Sequence, residues 1–272
     1  MVYLFSSKPR TIVEYFERNN IAYQLVTLDS FAAMVQQYEP IDGDIGIVYD
    51  FGKFIPEKLL SALPLLNIHF SLLPKYRGAT PVEAALLSGD TVTGVTVQKM
   101  VKAMDEGPLL LSVPIEVEPS WVAFELQAYM DSRLPEVLDE IFRVSPNEWQ
   151  FIEQTGEPSY CYEKDLQREN GKIVFEELTA DEVINRIRAY NPEPMAWCYI
   201  QKGAHILEMN MMRAKLFHEK LNQGDIVFVK KQGLAIGCKT GSVLITDLVI
   251  SGSKKLANGD IVALKGSIEL AE

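Results

Sequence analysis

The chain has 272 residues, 47% of them hydrophobic and 23% charged, a balance that supports a sizeable core in one large domain or two ordinary ones. A formal net charge of −11 argues against broad non-specific attraction to nucleic-acid phosphates, although it leaves room for a local basic patch. The three cysteines, Cys161, Cys198 and Cys238, are scattered and form no CxxC pair, so they suggest neither a disulfide framework nor a metal knuckle, and a reducing cytoplasmic setting fits. The opening apolar run is too short for a signal peptide, and no later run is long enough to span a bilayer.

In chain order, residues 2–5 read as a short strand and Ser6-Ser7-Lys8-Pro9 as a turn. Residues 11–18 read as a helix, with Thr11 as its cap and Ile12, Tyr15 and Phe16 on one face. A strand at 21–26, a helix capped by Ser30 and running to residue 38, and an apolar strand at 44–49 follow. Strand–helix–strand alternation predicts a mostly parallel sheet covered by helices. The loop Asp50-Phe51-Gly52-Lys53-Phe54-Ile55-Pro56 comes next, with Gly52 permitting close backbone approach. After a short helix at 56–63, Leu63-Pro64-Leu65-Leu66 opens a buried strand that runs into Asn67-Ile68-His69. Alternation puts Asn67 and His69 on one face, at the carboxyl end of a strand, where open α/β sheets bind ligands. Turns at Pro74 and Gly78 then fold a loop over this mouth. Within that loop Lys75, Tyr76 and Arg77 read equally as substrate contacts, since Arg suits phosphate, or as a solvated turn.

Thr80-Pro81 starts a helix that ends near Gly89. Strands at 94–100 and 109–117 flank Met104-Asp105-Glu106-Gly107-Pro108, a carboxylate on a tight turn. Taken singly, an Asn, a His or an Asp in such places is usually structural. Together they offer an amide, an imidazole and a carboxylate, a set that suits acyl transfer without a covalent enzyme intermediate. Asn67 and a protonated His69 would donate to an oxyanion, and Asp105 would accept the proton of an attacking amine, directly or through water. Helical periodicity fills 120–143, broken near Pro135, with Trp121, Phe124 and Leu126 expected in the core. Residues 145–159 are polar and read as a linker. A helix at 178–189, capped by Thr179, precedes short apolar runs separated by Gly and Lys-Gln-Gly turns, which predict a small OB-like β-barrel. Only His69 lies in the first half, and His205 and His218 fall in the barrel, so no metal is expected.

The ordered run Asn67-x-His69-x-Ser71-Leu72-Leu73-Pro74, then Arg77-Gly78, then an Asp105-x-Gly107 turn about thirty residues later, resembles the folate-dependent formyltransferase family. The resemblance implies a Rossmann-like formyltransferase domain over residues 1–150, a linker at 151–175 and a C-terminal OB-like domain at 176–272. It also implies 10-formyltetrahydrofolate as donor, an amine as acceptor, and Asn67, His69 and Asp105 as the catalytic triad. Asp50, Phe51, Gly52, Lys53, Phe54 and Ile55 would line the pterin pocket, largely through backbone groups. Residues 160–165, 172–175 and 185–197 are similar to the entry of the family's C-terminal domain, and Gly252-Ser253-Lys254-Lys255-Leu256-Ala257 to a segment near its end. Arg188-Ala189-Tyr190-Asn191-Pro192-x-Pro194-Met195-x-Trp197 resembles the tRNA-directed members of the family more than the sugar-modifying ones, which implies a charged initiator tRNA as the acceptor. The alternative is a nucleotide-linked amino sugar, with Lys75 and Arg77 on its pyrophosphate. A basic stripe through Lys230, Lys231, Lys239, Lys254 and Lys255 would favour tRNA. A non-catalytic binding module is the remaining class, and the intact trio argues against it. The chain departs from the family by opening at what resembles its second strand, which would alter the sheet's edge. It also carries only Ser6-Ser7-Lys8-Pro9-Arg10 where the tRNA-directed members insert a basic loop.

Overall fold

The structure, a computed structural model, describes residues 1–202, 204–250, 256–257 and 268–271. The chain divides into two compact units: Met1–Pro81, Val92–Val117 and Gln127–Cys161 form one, and Val82–Thr91, Glu118–Leu126 and Tyr162–Glu272 the other.

The elements of the first half are β1 (Val2–Ser6), α1 (Arg10–Arg18), β2 (Tyr23–Val26), α2 (Phe31–Gln37), β3 (Ile45–Tyr49), α3 (Glu57–Ala62), β4 (Leu65–His69), β5 (Arg77–Gly78), α4 (Pro81–Leu87), β6 (Val92–Lys99), β7 (Leu109–Glu116), α5 (Ala123–Phe142) and β8 (Tyr160–Cys161). The first unit is built on a six-stranded sheet in the order β2-β1-β3-β4-β6-β7. The pairs β1–β2, β1–β3 and β3–β4 are parallel, whereas β4–β6 and β6–β7 are antiparallel. β1 lies inside the sheet, which explains why all five of its residues are buried, and β2 forms the edge. β5 and β8 form a separate two-stranded parallel ribbon.

Ile12, Tyr15 and Phe16 form the buried face of α1, as their spacing predicts. Its start differs from the prediction, because Pro9 occupies the cap position and no side chain caps the helix. Ser30 does stand at the start of α2, but its hydroxyl accepts from the Thr27 amide at 2.9 Å, an alternative that local side-chain bonding offers. Phe51 belongs to the core: its ring meets Phe5 and Phe31 edge-on, with centroids 5.7 and 5.1 Å apart. α5 is a single helix of 20 residues with Pro135 inside it, not a helix broken there. Leu134, Val137, Leu138 and Ile141 are all essentially fully buried around that proline. Four such side chains, at roughly 1.5–3 kcal/mol each, outweigh the ~3 kcal/mol that an interior proline costs. Phe124, expected in the core, is instead 49% exposed, while Leu126 is buried.

The Tyr49 hydroxyl donates to Asp131 of α5. Burial is the main cause that pushes the Asp131 carboxyl above its usual range; the Tyr49 bond and Lys8 oppose the rise, and Asp50 adds to it. With the folded pKa above the unfolded one, the stability tied to this group is present at low pH and lost as pH rises through the folded value. Asp131→Asn keeps an acceptor for Tyr49 and removes the buried charge. The expected outcome is a higher Tm at neutral pH and a flatter dependence of Tm on pH between about 4 and 8, read by thermal unfolding.

The second unit contains α6 (Ala180–Ala189), capped as predicted by Thr179, whose oxygen accepts from Glu182 N while the Glu182 carboxylate returns to the Thr179 amide. Its strands are β9 (Ala196–Lys202), β10 (His205–Leu216), β11 (Ile226–Val229), β12 (Gly233–Gly237), β13 (Ser242–Ile250), β14 (Leu256–Ala257) and β15 (Ile268–Ala271). They make one antiparallel sheet in the order β11-β12-β13-β10-β9-β15, with β14 added on β13. Register shifts around Arg213 bend β10 and curl the sheet. Among the described residues no backbone pairing joins β11 to β15. Lys230 and Lys231 follow one end of the neighbouring strand pair β11–β12 and Lys239 the other, so β12, roughly 17 Å of chain, separates them. Lys254 and Lys255, with Gly252 and Ser253, lie outside the described residues.

The three cysteines are buried and form no disulfide. Burial pushes Cys198 up to about 12 and Cys238 up to about 11, which makes both thiols inert. Among the described residues no helix is long and apolar enough to cross a membrane.

Candidate active site

β4 delivers Asn67 and His69 to the same face of the sheet, and its antiparallel neighbour β6 sets Gln98 opposite Asn67 and Thr96 opposite His69. Directly opposed residues share a face, so four polar side chains form a two-by-two patch. Thr96, His69 and Gln98 are buried, and Asn67 is half-buried. The Thr96 hydroxyl donates to the Ser71 carbonyl at 2.6 Å and accepts from the Leu73 amide at 3.3 Å, which pins the chain just beyond His69.

The His69 ring is fixed by a 2.9 Å contact between Nε2 and the Tyr76 carbonyl. A carbonyl only accepts, so Nε2 carries the hydrogen. Nδ1 faces Asp105 Oδ2 at 3.8 Å, near enough for ionic attraction and beyond hydrogen-bond reach.

Asp105 sits on the turn between β6 and β7 with φ +54°, a left-handed conformation uncommon outside Gly, Asn and Asp. Its Oδ1 accepts from Gln98 Nε2 at 2.7 Å and from Asn67 Nδ2 at 3.3 Å, and its Oδ2 accepts from the Gly78 amide at 2.8 Å. The turn itself is clamped by Gln154, whose Nε2 donates to the Asp105 and Gly107 carbonyls at 2.8 Å each. Gly107 has no alternative residue, since a Cβ there would lie 1.7 Å from the Lys99 carbonyl oxygen. Gly78 is held equally close, with φ +122° and a hypothetical Cβ 2.0 Å from the Cys161 carbonyl oxygen, because β5 lies against β8.

The remaining predicted residues fall in two groups. Lys75 is exposed, with Nζ 5.8 Å from the Tyr76 ring centre, and Tyr76 is buried with φ +58°. Arg77 is engaged by the protein: Nη2 donates to Gln154 Oε1 at 2.7 Å and Nη1 pairs with Glu106 at 3.1 Å. The loop after β3 leaves the sheet beside β4, since Val48 pairs with Asn67. In it Asp50 pairs with Lys8 at 2.9 Å and its carbonyl accepts from the Ser7 amide, Phe51 and Ile55 are buried, Lys53 is exposed and Phe54 is 80% exposed. Gly52 has φ +66° with open space where a Cβ would stand. Among the described residues, the backbone groups of 51–55 make no hydrogen bond to the protein. No group of three or more His, Cys, Asp and Glu among the described residues is placed to hold a metal ion, and His205 and His218 lie in the second unit, outside any such cluster.

Gln98 and Gln154 are the site residues that sequence reasoning passed over. Gln98 left a signal, a lone amide in step with Thr96 along a strand of valines. Gln154 left none, because it lies in a polar stretch that reads as linker.

An amide donor and an imidazole beside a hydrogen-bonded carboxylate, at the carboxyl end of the parallel half of an α/β sheet, form a set that suits passing an acyl group between two bound molecules. Residues 2–138 match the formyl transferase family and residues 165–264 match the formyl transferase C-terminal domain. The chain belongs to the formyl transferase family. It is 31% identical over 229 residues to a methionyl-tRNA formyltransferase of a Nitratiruptor species, covering 82% of this chain and 70% of that one. It is 30% identical over 230 residues to the methionyl-tRNA formyltransferase of Rhizobium rhizogenes, covering 84% and 71%. Among solved structures, the fold is shared with HypX from Aquifex aeolicus in complex with tetrahydrofolic acid, at TM-score 0.67 and 16% identity over 97% of this chain and 46% of that one. It is shared too with the N-formyltransferase from Helicobacter canadensis in complex with folinic acid and dTDP-3-aminofucose, at TM-score 0.68 and 17% identity over 90% and 97%.

Proposed function

We propose that this chain transfers the formyl group of 10-formyltetrahydrofolate to the α-amino group of a charged initiator methionyl-tRNA. The observation that carries the reading is the convergence of Asn67 and His69 on the Asp105 carboxylate, at 3.3 and 3.8 Å. In its doubly protonated form His69 keeps Nε2–H on the Tyr76 carbonyl and has Nδ1–H to offer. Asn67 Nδ2–H and His69 Nδ1–H then donate to the formyl oxygen as charge gathers on it. Asp105 receives the proton released by the attacking amine, directly or through water; the tetrahedral adduct then collapses as the bond between the formyl carbon and the folate N10 breaks, and that proton passes to the departing nitrogen. No group in this scheme forms a covalent bond to substrate.

The donor's pterin is assigned to the loop Asp50, Phe51, Gly52, Lys53, Phe54 and Ile55. Unpartnered backbone N–H and C=O groups there suit a flat heterocycle with alternating donors and acceptors, and Gly52 leaves room for it. We read residues 1–150 as a Rossmann-like catalytic domain, 151–175 as a linker, and the curled sheet of 176–272 as an OB-like barrel that meets the acceptor. A cytoplasmic setting accommodates three buried thiols that form no disulfide.

The relatives named for methionyl-tRNA, each at about 30% identity over most of the chain, favour tRNA. So does the environment of Arg77. With its guanidinium spent on Gln154 and Glu106, only Lys75 of the pair expected on a sugar nucleotide's pyrophosphate extends into solvent. The test is formyl transfer from 10-formyltetrahydrofolate by the full chain, comparing methionyl initiator tRNA with a panel of nucleotide-linked amino sugars. Formylation of the tRNA, falling steeply as salt is raised, is expected. Robust formylation of an amino-sugar nucleotide with none of tRNA would overturn the choice of acceptor.

A further inference from the structure

Gln98 is 1% exposed, yet its side-chain oxygen has no hydrogen-bond partner among the described residues. Buried polar groups are nearly always paired, so an orphan acceptor beside a reaction centre asks for a cause. The orientation of the amide supplies it. A carboxylate can only accept, so the amide must present Nε2 to Asp105, and Oε1 is turned away towards Gly107, 3.6 Å from where a Cβ on that glycine would stand. Rotating the amide would set oxygen against oxygen. The site therefore retains a poorly placed acceptor in order to retain one N–H.

The two donors on Asp105 Oδ1 are unequal. Gln98 approaches to 2.7 Å, the range of a charge-assisted bond, whereas Asn67 stands at 3.3 Å, the long end of the range. In the reaction proposed above, Asn67 has to give its N–H to the formyl oxygen. Gln98 has no such second duty, since it is buried and its register on β6 fixes it opposite Asn67. We propose that Gln98 is a positioning residue that holds Asp105 Oδ1 throughout turnover, so that Asn67 is released to the reacting carbonyl without leaving that oxygen unpartnered. The inference rests on the formyl-transfer reading of the site and on its assignment of Asp105 as the proton acceptor.

The test uses the full chain with 10-formyltetrahydrofolate and whichever of methionyl-tRNA or amino-sugar nucleotide the wild-type protein formylates. Gln98→Met preserves length and bulk while removing both the donor and the orphan acceptor. Its kcat is expected to fall by roughly 10- to 100-fold, the worth of a hydrogen bond to a charged group. Both KM values should stay within about three-fold, and Tm should change little, because the lost bond to Asp105 is partly offset by removal of the unpaired oxygen. Gln98→Glu can donate only when protonated, so its activity relative to wild type should climb as pH falls from about 8 to 5. A Met variant with wild-type kcat, a loss confined to KM, or a Glu variant whose ratio to wild type is flat with pH would overturn the proposal, provided Asp105→Asn is inactive. Full activity in Asp105→Asn would instead remove Asp105 from the chemistry, and the role of Gln98 with it, whereas the absence of formyl transfer by the wild-type chain to either acceptor would sink the formyl-transfer assignment itself. Should the Met variant fail to fold, the pH ratio of the Glu variant still decides.

Discussion

Replacement of Asp105 by Asn is expected to lower kcat by about 10²- to 10⁴-fold, the range in which general acid–base groups contribute, with little change in KM for the folate. Asp105 is a difficult residue to imitate. One carboxylate oxygen takes two side-chain N–H groups, from Gln98 and Asn67, and the other takes the Gly78 amide. An amide has one oxygen to offer, so its NH₂ must face N–H groups on one side or the other, and it removes no proton from an incoming amine. The turn should survive, because Gln154 and the close approach of Gly107 to Lys99 act on its backbone and not on its carboxylate. A stability loss of about 1–3 kcal/mol, that of one buried unsatisfied donor, is expected. Single-turnover formyl transfer, with thermal unfolding alongside, checks both statements. Wild-type turnover in a folded Asn variant would remove Asp105 from the chemistry.

Asn67→Ala is expected to cost about 10²- to 10³-fold in kcat, the usual toll for one oxyanion donor. Its structural penalty should be small, because the side chain is half-buried at the open end of β4 and gives up only a 3.3 Å bond. The variant leaves Asp105 with Gln98 and Gly78, so the carboxylate remains in place. Asn67→Ala and Asp105→Asn therefore strike two roles in one step, and their effects should fall short of additivity when combined. Kinetics of the double variant against each single one measure that shortfall. A purely additive result would mean that the two side chains contribute independently of one another.

The placement of the candidate site's central side chains was legible because strand alternation is a local rule. Asn67 and His69 two residues apart in an apolar run had to share a face, and an Asp two residues before Gly-Pro had to sit on a turn. Partner identity is less local. Gln98 alternates with Thr96 along β6, but its register against β4 is set by antiparallel pairing across the sheet, which the sequence of β6 alone does not state. Gln154 lies 49 residues from Asp105 along the chain, and its pairing with the turn obeys no periodicity at all. The same limit explains the misreadings of structure. Pro135 carries a strong local signal against helix, and tertiary burial of its neighbours overrides it, while Phe124 carries a strong apolar signal and faces solvent. The parallel strands at the start of the sheet followed from alternation of strands and helices, and the two strands flanking the Asp105 turn were expected, while their antiparallel direction is set by pairings that the pattern did not state.

The segment that fastens the site has a consequence for dissecting the molecule. Excising residues 1–150 would deliver Asn67, His69 and Asp105 complete, and so look like a minimal enzyme. It would discard Gln154, the Ser159 hydroxyl that accepts the Tyr76 amide at 2.9 Å, and Cys161 against the carbonyl that orients His69. Such a fragment would keep the candidate reacting groups and the Gln98 and Gly78 bonds to Asp105, yet lose the Gln154 clamp on the turn and the contacts behind Tyr76, so a fragment that preserves the proposed site whole has to extend past Cys161.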